Sequence, residues 1–410
     1  MALNYVWVAF FLVAFVVALL RMLFLGDTAV FGDMVQSTFD MAKVSVDISI
    51  YLIGVITLWQ GIMKVGEEGG AVKYLTRLVG PFFNKLFPEV PKDHPAVGAM
   101  MMNFSANMLG LDNAATPLGL KAMNELQTLN KEADTASNAM IMFIVLNTSG
   151  LTLVPVSVMA IRAAQGASNP ADIFLPILLA TYFATLGGLI TVSIKQRINL
   201  LQPVLLAWLG GITAGIGALL FYLNQLDQET VNVISNAAGN GIIMTIIVGF
   251  FALALLKRVN VYETFIDGAK DGFSISIKII PYLVAMLVAI GVFRASGALD
   301  YLVEGIAGFF GLFMDDTRFV DALPTALMKP LSGSGARGMM VEQMNTFGAD
   351  SFVGRLASVF QGSTETTFYT LAVYFGAVSI RKTRYALGAG LIADLCGIVA
   401  AIVIAYIFFG

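Results

Sequence analysis

The sequence predicts an all-α polytopic membrane protein: two inverted repeats with re-entrant hairpins and interrupted helices, and about nine transmembrane spans. Three observations carry that expectation. Of 410 residues, 58% are hydrophobic and only 12% are charged, whereas a soluble domain is about a quarter charged. Apolar runs long enough to cross a bilayer, about 20 residues, recur along the chain. Polar residues interrupt the apolar runs at matching places in the two halves.

The first run, 5–25, has no basic stretch before it and no clean small-residue cleavage site after it. It is expected to be a retained membrane helix, not a signal peptide. Further spans follow at 46–63, 138–161, 173–194, 204–223, 239–256, 275–293, 352–378 and 386–409. Two of them are broken at mid-depth, by Asn147-Thr148-Ser149-Gly150 and by Gln361-Gly362-Ser363-Thr364-Glu365-Thr366. The stretches 95–123 and 322–347 are apolar yet rich in Gly, Asn, Ser and Pro, and read as hairpins that enter the membrane and return. Such backbone survives there only where protein or a wet cavity satisfies it.

Lys and Arg set the orientation. With nine crossings, fifteen basic residues fall on one side, among them Lys64, Lys92, Lys131, Lys257 and Lys382. Eight fall on the other: Arg21, Lys43, Arg162, Arg294, Arg318, Lys329, Arg337 and Arg355. The richer side is expected to be cytoplasmic, which puts the N-terminus inside and the C-terminus outside a bacterial inner membrane.

The halves repeat. At a shift of 227, Asp40-Met41-Ala42-Lys43 aligns with Asp267-Gly268-Ala269-Lys270, Gly70-Ala71 with Gly297-Ala298, and Tyr74-Leu75 with Tyr301-Leu302. Each unit reads helix, short interfacial stretch, helix, amphipathic helix, hairpin, interrupted helix, helix. The expected units are 1–198 and 239–410, joined by 199–238 with its own span. That odd span makes the second unit start on the opposite face, so the repeats are inverted. This is an architecture of secondary transporters, whose sites lie at broken helices near mid-membrane.

The residues then acquire a resemblance. Lys85-Leu86-Phe87-Pro88, Asp93-His94-Pro95-Ala96 and the run from Gly110-Leu111-Asp112-Asn113 to Pro117-Leu118-Gly119 resemble spore maturation protein A. Gly268-Ala269-Lys270-Asp271-Gly272-Phe273, Arg355-Leu356-Ala357-Ser358-Val359 and Gln361-Gly362-Ser363-Thr364 resemble spore maturation protein B. Both belong to a nucleoside-recognition, or gate-domain, group similar to concentrative nucleoside transporters. The resemblance implies a transporter-like core, and small organic anions are admissible cargo beside nucleosides. Nucleoside transporters usually carry a carboxylate in the first interrupted region, but here that segment is Asn147-Thr148-Ser149.

The candidate binding residues are those at the hairpin tips and helix breaks. The first half offers Asn107, Asp112, Asn113, Thr116, Asn147, Thr148 and Ser149. The second offers Lys329, Ser332, Ser334, Arg337, Gln361, Ser363, Thr364 and Glu365. Broken helices expose N–H groups that attract anions, and ionisable groups inside a membrane mark function. The expected activity is movement of a small polar, anionic or nucleoside-like solute by alternating access, coupled to Na⁺ or H⁺. The other reading is a non-transport scaffold or regulator of envelope or spore maturation.

Other chemistries find little support. A single His94, in a loop, gives no multi-histidine metal site and no Ser/His/Asp triad. A single Cys396 gives no internal disulfide. No cofactor and no enzymatic activity are expected. Net charge −3 without a basic tract argues against nucleic acid. Gly333-Ser334-Gly335-Ala336-Arg337-Gly338 fits G-x-G-x-x-G but follows no strand, so it reads as a hairpin tip. Gly211 and Gly215 form a G-x-x-x-G, which serves either close packing within the chain or a homo-oligomer contact.

Overall fold

The computed structural model describes residues 2–110 and 112–410, with side chains for all of these except 2, 3 and 112–114. The first half runs α1 (Ala2–Leu25), α2 (Val30–Gly69), α3 (Ala71–Leu86), the hairpin α4 (Pro95–Met108) and α5 (Asp112–Thr128), then α6 (Asn138–Ser149), α7 (Val156–Ala164) and α8 (Phe174–Gln196). After the linking helix α9 (Pro203–Leu223), the second half repeats this order. It runs α10 (Gln228–Leu256), α11 (Val261–Ala295), α12 (Ala298–Phe310), a 3-10 turn (Arg318–Ala322) with α13 (Leu323–Met328), α14 (Gly333–Phe347), α15 (Phe352–Ser363), α16 (Thr367–Ala377) and α17 (Ala386–Phe409). Seven of these helices are long and apolar enough to cross a membrane: α1, α2, α8, α9, α10, α11 and α17. The two interrupted spans appear as the pairs α6–α7 and α15–α16. The chain is an all-α, multi-pass membrane protein.

One expectation needs correcting. The stretches before spans 46–63 and 275–293 are not separate interfacial pieces. They are the first turns of single helices, α2 with 40 residues and α11 with 35. At 1.5 Å per residue, α2 spans about 60 Å, twice the hydrocarbon core. Its early polar residues stay helical by facing outward, as in the Gln36 to Asp40 hydrogen bond.

The repeat symmetry is written into the packing. A Cβ on Gly268 would meet Gln60 and Lys64, one on Gly272 would meet Ile56 and Thr57, and one on Gly291 would meet Ser37 and Met41. Partner numbers in α2 fall as numbers in α11 rise, so these equivalent helices run antiparallel. The same holds for α8 and α17, where Ala184 meets Gly397 and Gly188 meets Ala393. The first helices cross over to the other repeat. Arg21, near the end of α1, donates to the Ser296 carbonyl at the end of α11, at 3.0 Å. Lys257, at the end of α10, reaches the Glu68 carbonyl at the end of α2, at 3.4 Å. Each places a cation at the negative end of the other repeat's long helix. The glycines matched in sequence, Gly70 and Gly297, take the same left-handed turn at φ 85 and 83. Antiparallel equivalents with reciprocal contacts are the signature of a two-fold, inverted arrangement.

Close helix approach makes a test. A Cβ on Gly272 would lie 2.8 Å from Thr57 Cα, which is backbone and cannot swing away. Gly272→Ala is expected to cost about 1–3 kcal/mol in detergent unfolding. Gly211→Ala, where a Cβ meets nothing, should leave stability unchanged. Equal stability of the two variants would show that α2 and α11 do not meet here. Among the described residues nothing packs closely on Gly211 or Gly215, and of α9 only Leu205 and Leu223 are buried.

Candidate functional site at the two helix breaks

The broken backbone is satisfied by the hairpins and by the other break. α6 ends at Gly150, in the left-handed conformation. Beyond it, the Leu153 N–H donates to the Met108 carbonyl at the first hairpin tip, at 2.7 Å. In the second half the Phe368 N–H donates to the Pro330 carbonyl at the second hairpin tip, at 3.1 Å. The Glu365 N–H donates to the Thr148 carbonyl at 2.8 Å, so the two breaks are directly bonded. Hairpin tips and breaks thus meet as the sequence leads one to expect.

A cavity of about 310 Å³ opens at this meeting point. Of the sequence candidates, Asn107, Thr116, Asn147, Lys329, Arg337, Gln361, Thr364 and Glu365 line it. Five do not. The Thr148, Ser149 and Ser363 hydroxyls donate to carbonyls of their own helices, of Val145, Leu146 and Phe360. Ser332 accepts from the Gly335 N–H as the cap of α14 and shares a hydrogen bond with Ser334. The side chains of Asp112 and Asn113 lie outside the described residues.

The two halves give the cavity different chemistry. The first supplies an amide ladder: Asn107 donates to Asn147 at 2.8 Å, Asn147 to the Phe143 carbonyl, and Asn103 to the Ala115 carbonyl. The second supplies charge: Lys329, Arg337 and Glu365. Glu365 is exposed to the cavity, while Lys329 is only 6% exposed. Among the described residues of the wall, Arg337 Nε and Gln361 Oε1 are buried without a hydrogen-bond partner. An unmade hydrogen bond of this kind costs about 1–3 kcal/mol, so a polar ligand that fills both is favoured. Lys329 and Arg337, counted on the poorer side in the charge balance and also expected at the site, line the cavity.

Two constellations escaped the sequence reading. Asp394, 2% exposed in the apolar helix α17, accepts a hydrogen bond from Thr367 at 2.6 Å. A lone acid in an apolar run is itself the signal. The second is an ionic network beyond α7. Arg162 is fully buried and touches Asp172 at 2.9 Å, Asp350 at 3.2 Å and the Ala349 carbonyl at 2.7 Å. Arg355 adds a 2.8 Å contact to Asp172. Both acids and Arg355 are separated from Arg162 in sequence, so no spacing reveals them. The network ties the first repeat to the second on one face. On the opposite face the Lys382–Asp134 pair is largely exposed.

The network makes a pH test. Burial works against ionised Asp350, but the Ser168 backbone and side chain, with Arg162 and Arg355, hold its carboxyl below the usual range. A depressed carboxylate stabilises the fold above its ordinary value and loses that contribution as pH falls through the folded value. The melting temperature in detergent is expected to fall below about pH 4, and Asp350→Asn should flatten that limb. An identical acid limb in the variant would remove Asp350 from the account.

Comparison with known proteins agrees with the two-part reading. The family described as Gate, nucleoside recognition, matches residues 49–165 and 276–381, together more than half of the chain. That family is described by recognition, not by a reaction. Spore maturation protein B of Bacillus subtilis (strain 168) is 48% identical over 183 residues, 45% of this chain and 99% of that protein. Spore maturation protein A of the same organism is 39% identical over 187 residues, 46% of this chain and 92% of that protein. No solved structure matches. With two matched segments and two relatives each covered almost end to end, the chain belongs to the Gate nucleoside-recognition family.

Proposed function

We propose that this protein is a secondary transporter that moves a small anionic or zwitterionic solute by alternating access, coupled to Na⁺ or H⁺. The observation that carries the reading is the polar cavity where both breaks and both hairpin tips meet, with Arg337 Nε and Gln361 Oε1 unpartnered among the described residues of its wall. Arg337 offers a planar fork suited to a carboxylate or phosphate. Glu365 offers a counter-charge for an amine. The first break, which carries no acid at 147–149, argues for an anionic solute over a neutral nucleoside. The buried Arg162 network acts as the closed gate of one face. In this reading residues 1–198 and 239–410 are the moving repeats, in a bacterial inner membrane with the N-terminus cytoplasmic.

The names of the relatives favour a second reading, a non-transport component of spore or envelope maturation. A thermal-shift panel of neutral nucleosides, nucleoside monophosphates, amino acids and dicarboxylates separates the two. A bound ligand at a hundredfold excess over Kd stabilises by about 2.7 kcal/mol. Stabilisation by anions or zwitterions, reduced in Arg337→Gln, is the expected result. No shift with any class favours the maturation component, and tight binding of neutral nucleosides unaffected by Arg337→Gln contradicts the anionic cargo.

A further inference from the structure

We propose that the outward stripes of α2 and α11 are covered by a second copy of this chain, with Asp47 of one copy against Lys278 of the other. The inference does not depend on the transporter reading. It starts from depth. Gly272 of α11 lies against Thr57 of α2 in the antiparallel pair. Six residues on from Gly272 and six back from Thr57 stand Lys278 and Tyr51, so these two share one level. The repeat shift of 227 also pairs them. A residue and its repeat equivalent share a level only where the two-fold axis crosses the helices. That axis lies in the membrane plane, so Lys278 is at mid-membrane, about 15 Å from either edge of the hydrocarbon core. Asp47, one turn from Tyr51, is about 6 Å from the same level.

Both side chains are exposed. Among the described residues neither makes a hydrogen bond or an ion pair. They sit on stripes that the symmetry repeats: Asp47, Ile50 and Gly54 are exposed on α2, and their equivalents Ser274, Ile277 and Pro281 are exposed on α11. Spacings of three and four residues make each stripe a continuous helix face. Lipid is a poor cover for these faces. A lysine near the membrane edge reaches the headgroups, but one at mid-depth does not, and a charge there turns to protein or a wet cavity. The linking helix α9 differs, since it carries no charged residue and lipid can cover it.

The charges name the occupant. Copies inserted in one membrane point the same way, so the axis that relates them is normal to the membrane. Each residue then meets its neighbour's face at its own depth. Lys278 needs an acid near mid-depth, and Asp47 is the acid nearest that depth on the exposed stripes. Either charge alone is expensive away from water, while the attraction between the two grows as water is excluded. A cover must therefore present both signs within one turn of mid-membrane, and a second copy does so through the same two residues.

The test uses the full chain in a Cys396→Ser background. Two differently tagged copies, one with Asp47→Cys and one with Lys278→Cys, are expressed together and oxidised in the membrane. The expected result is a disulfide-linked species that carries both tags. Gly211→Cys on both copies should give none. In native-lipid nanodiscs the unsubstituted protein should have at least twice the chain mass of 43.8 kDa. Lys278→Asp should lower the oligomeric fraction at least 10-fold, and adding Asp47→Lys to the same chain should restore it. No species with both tags overturns the proposal, as does linkage at 211 instead, which would place the contact on α9. A single chain in the nanodisc, alone or beside a different polypeptide, also overturns it. Should Lys278→Asp fail to fold, the disulfide and mass measurements still decide, because neither needs a reversed charge.

Discussion

Arg162→Met is expected to destabilise the protein by about 3–5 kcal/mol, the range for breaking a buried ion pair from one side. The reason is the state of the partners left behind. Arg162 is fully buried and serves Asp172, Asp350 and the Ala349 carbonyl together. Arg355 still holds Asp172, which keeps the loss toward the lower end. Lys382→Met, on the opposite face, removes a pair whose side chains are 69% and 50% exposed. Such a pair contributes about 1 kcal/mol or less. Denaturant unfolding in detergent compares the two variants. If they lose the same stability, the Arg162 network is not the seal of its face. A gate role adds a second readout: a cysteine at Ser157, which lines the cavity from α7, should label faster in the Arg162→Met background.

The largest expected effect on activity is at Arg337. Hydrogen bonds to charged groups contribute about 1.5–3 kcal/mol, so Arg337→Gln should reduce uptake of an anionic solute by about 10- to 150-fold. Glu365→Gln should behave differently. It lies exposed in the same cavity and would meet the amine of a zwitterion. Its loss should weaken zwitterions while sparing simple dicarboxylates. Uptake of labelled glutamate and succinate by each variant reads both effects. Equal losses for both solutes in both variants would mean that the two side chains maintain the cavity instead of reading charge.

Much of this architecture was legible because it rests on local pattern. The runs of apolar residues, the breaks at 147–150 and 361–366, and the matching glycines Gly70 and Gly297 each state their structure within a few residues. The continuity of α2 through Asp33, Gln36 and Asp40 was not legible. Polar residues suggest an interfacial break, but a helix longer than the bilayer carries them outside its core. In the candidate site, residue type alone did not separate lining from capping. Ser149 and Ser363 look like ligands in sequence, yet a hydroxyl at a helix end has a carbonyl of its own helix within reach, and both take it. Asp394 and Arg162 went the other way. Their partners come from distant segments, Thr367 in one case and Asp350 in the other, which only the fold brings together.

The central claim is that two inverted repeats close one cavity from opposite sides of the membrane. Single cysteines at Lys92 and Asp315, both exposed and each at the outer end of its hairpin, test it most directly in a Cys396→Ser background. In intact cells an impermeant thiol reagent is expected to label the cysteine at 315 and not the one at 92, and in inside-out vesicles the reverse. Labelling of both positions from the same side would contradict the inverted arrangement and the shared cavity built on it.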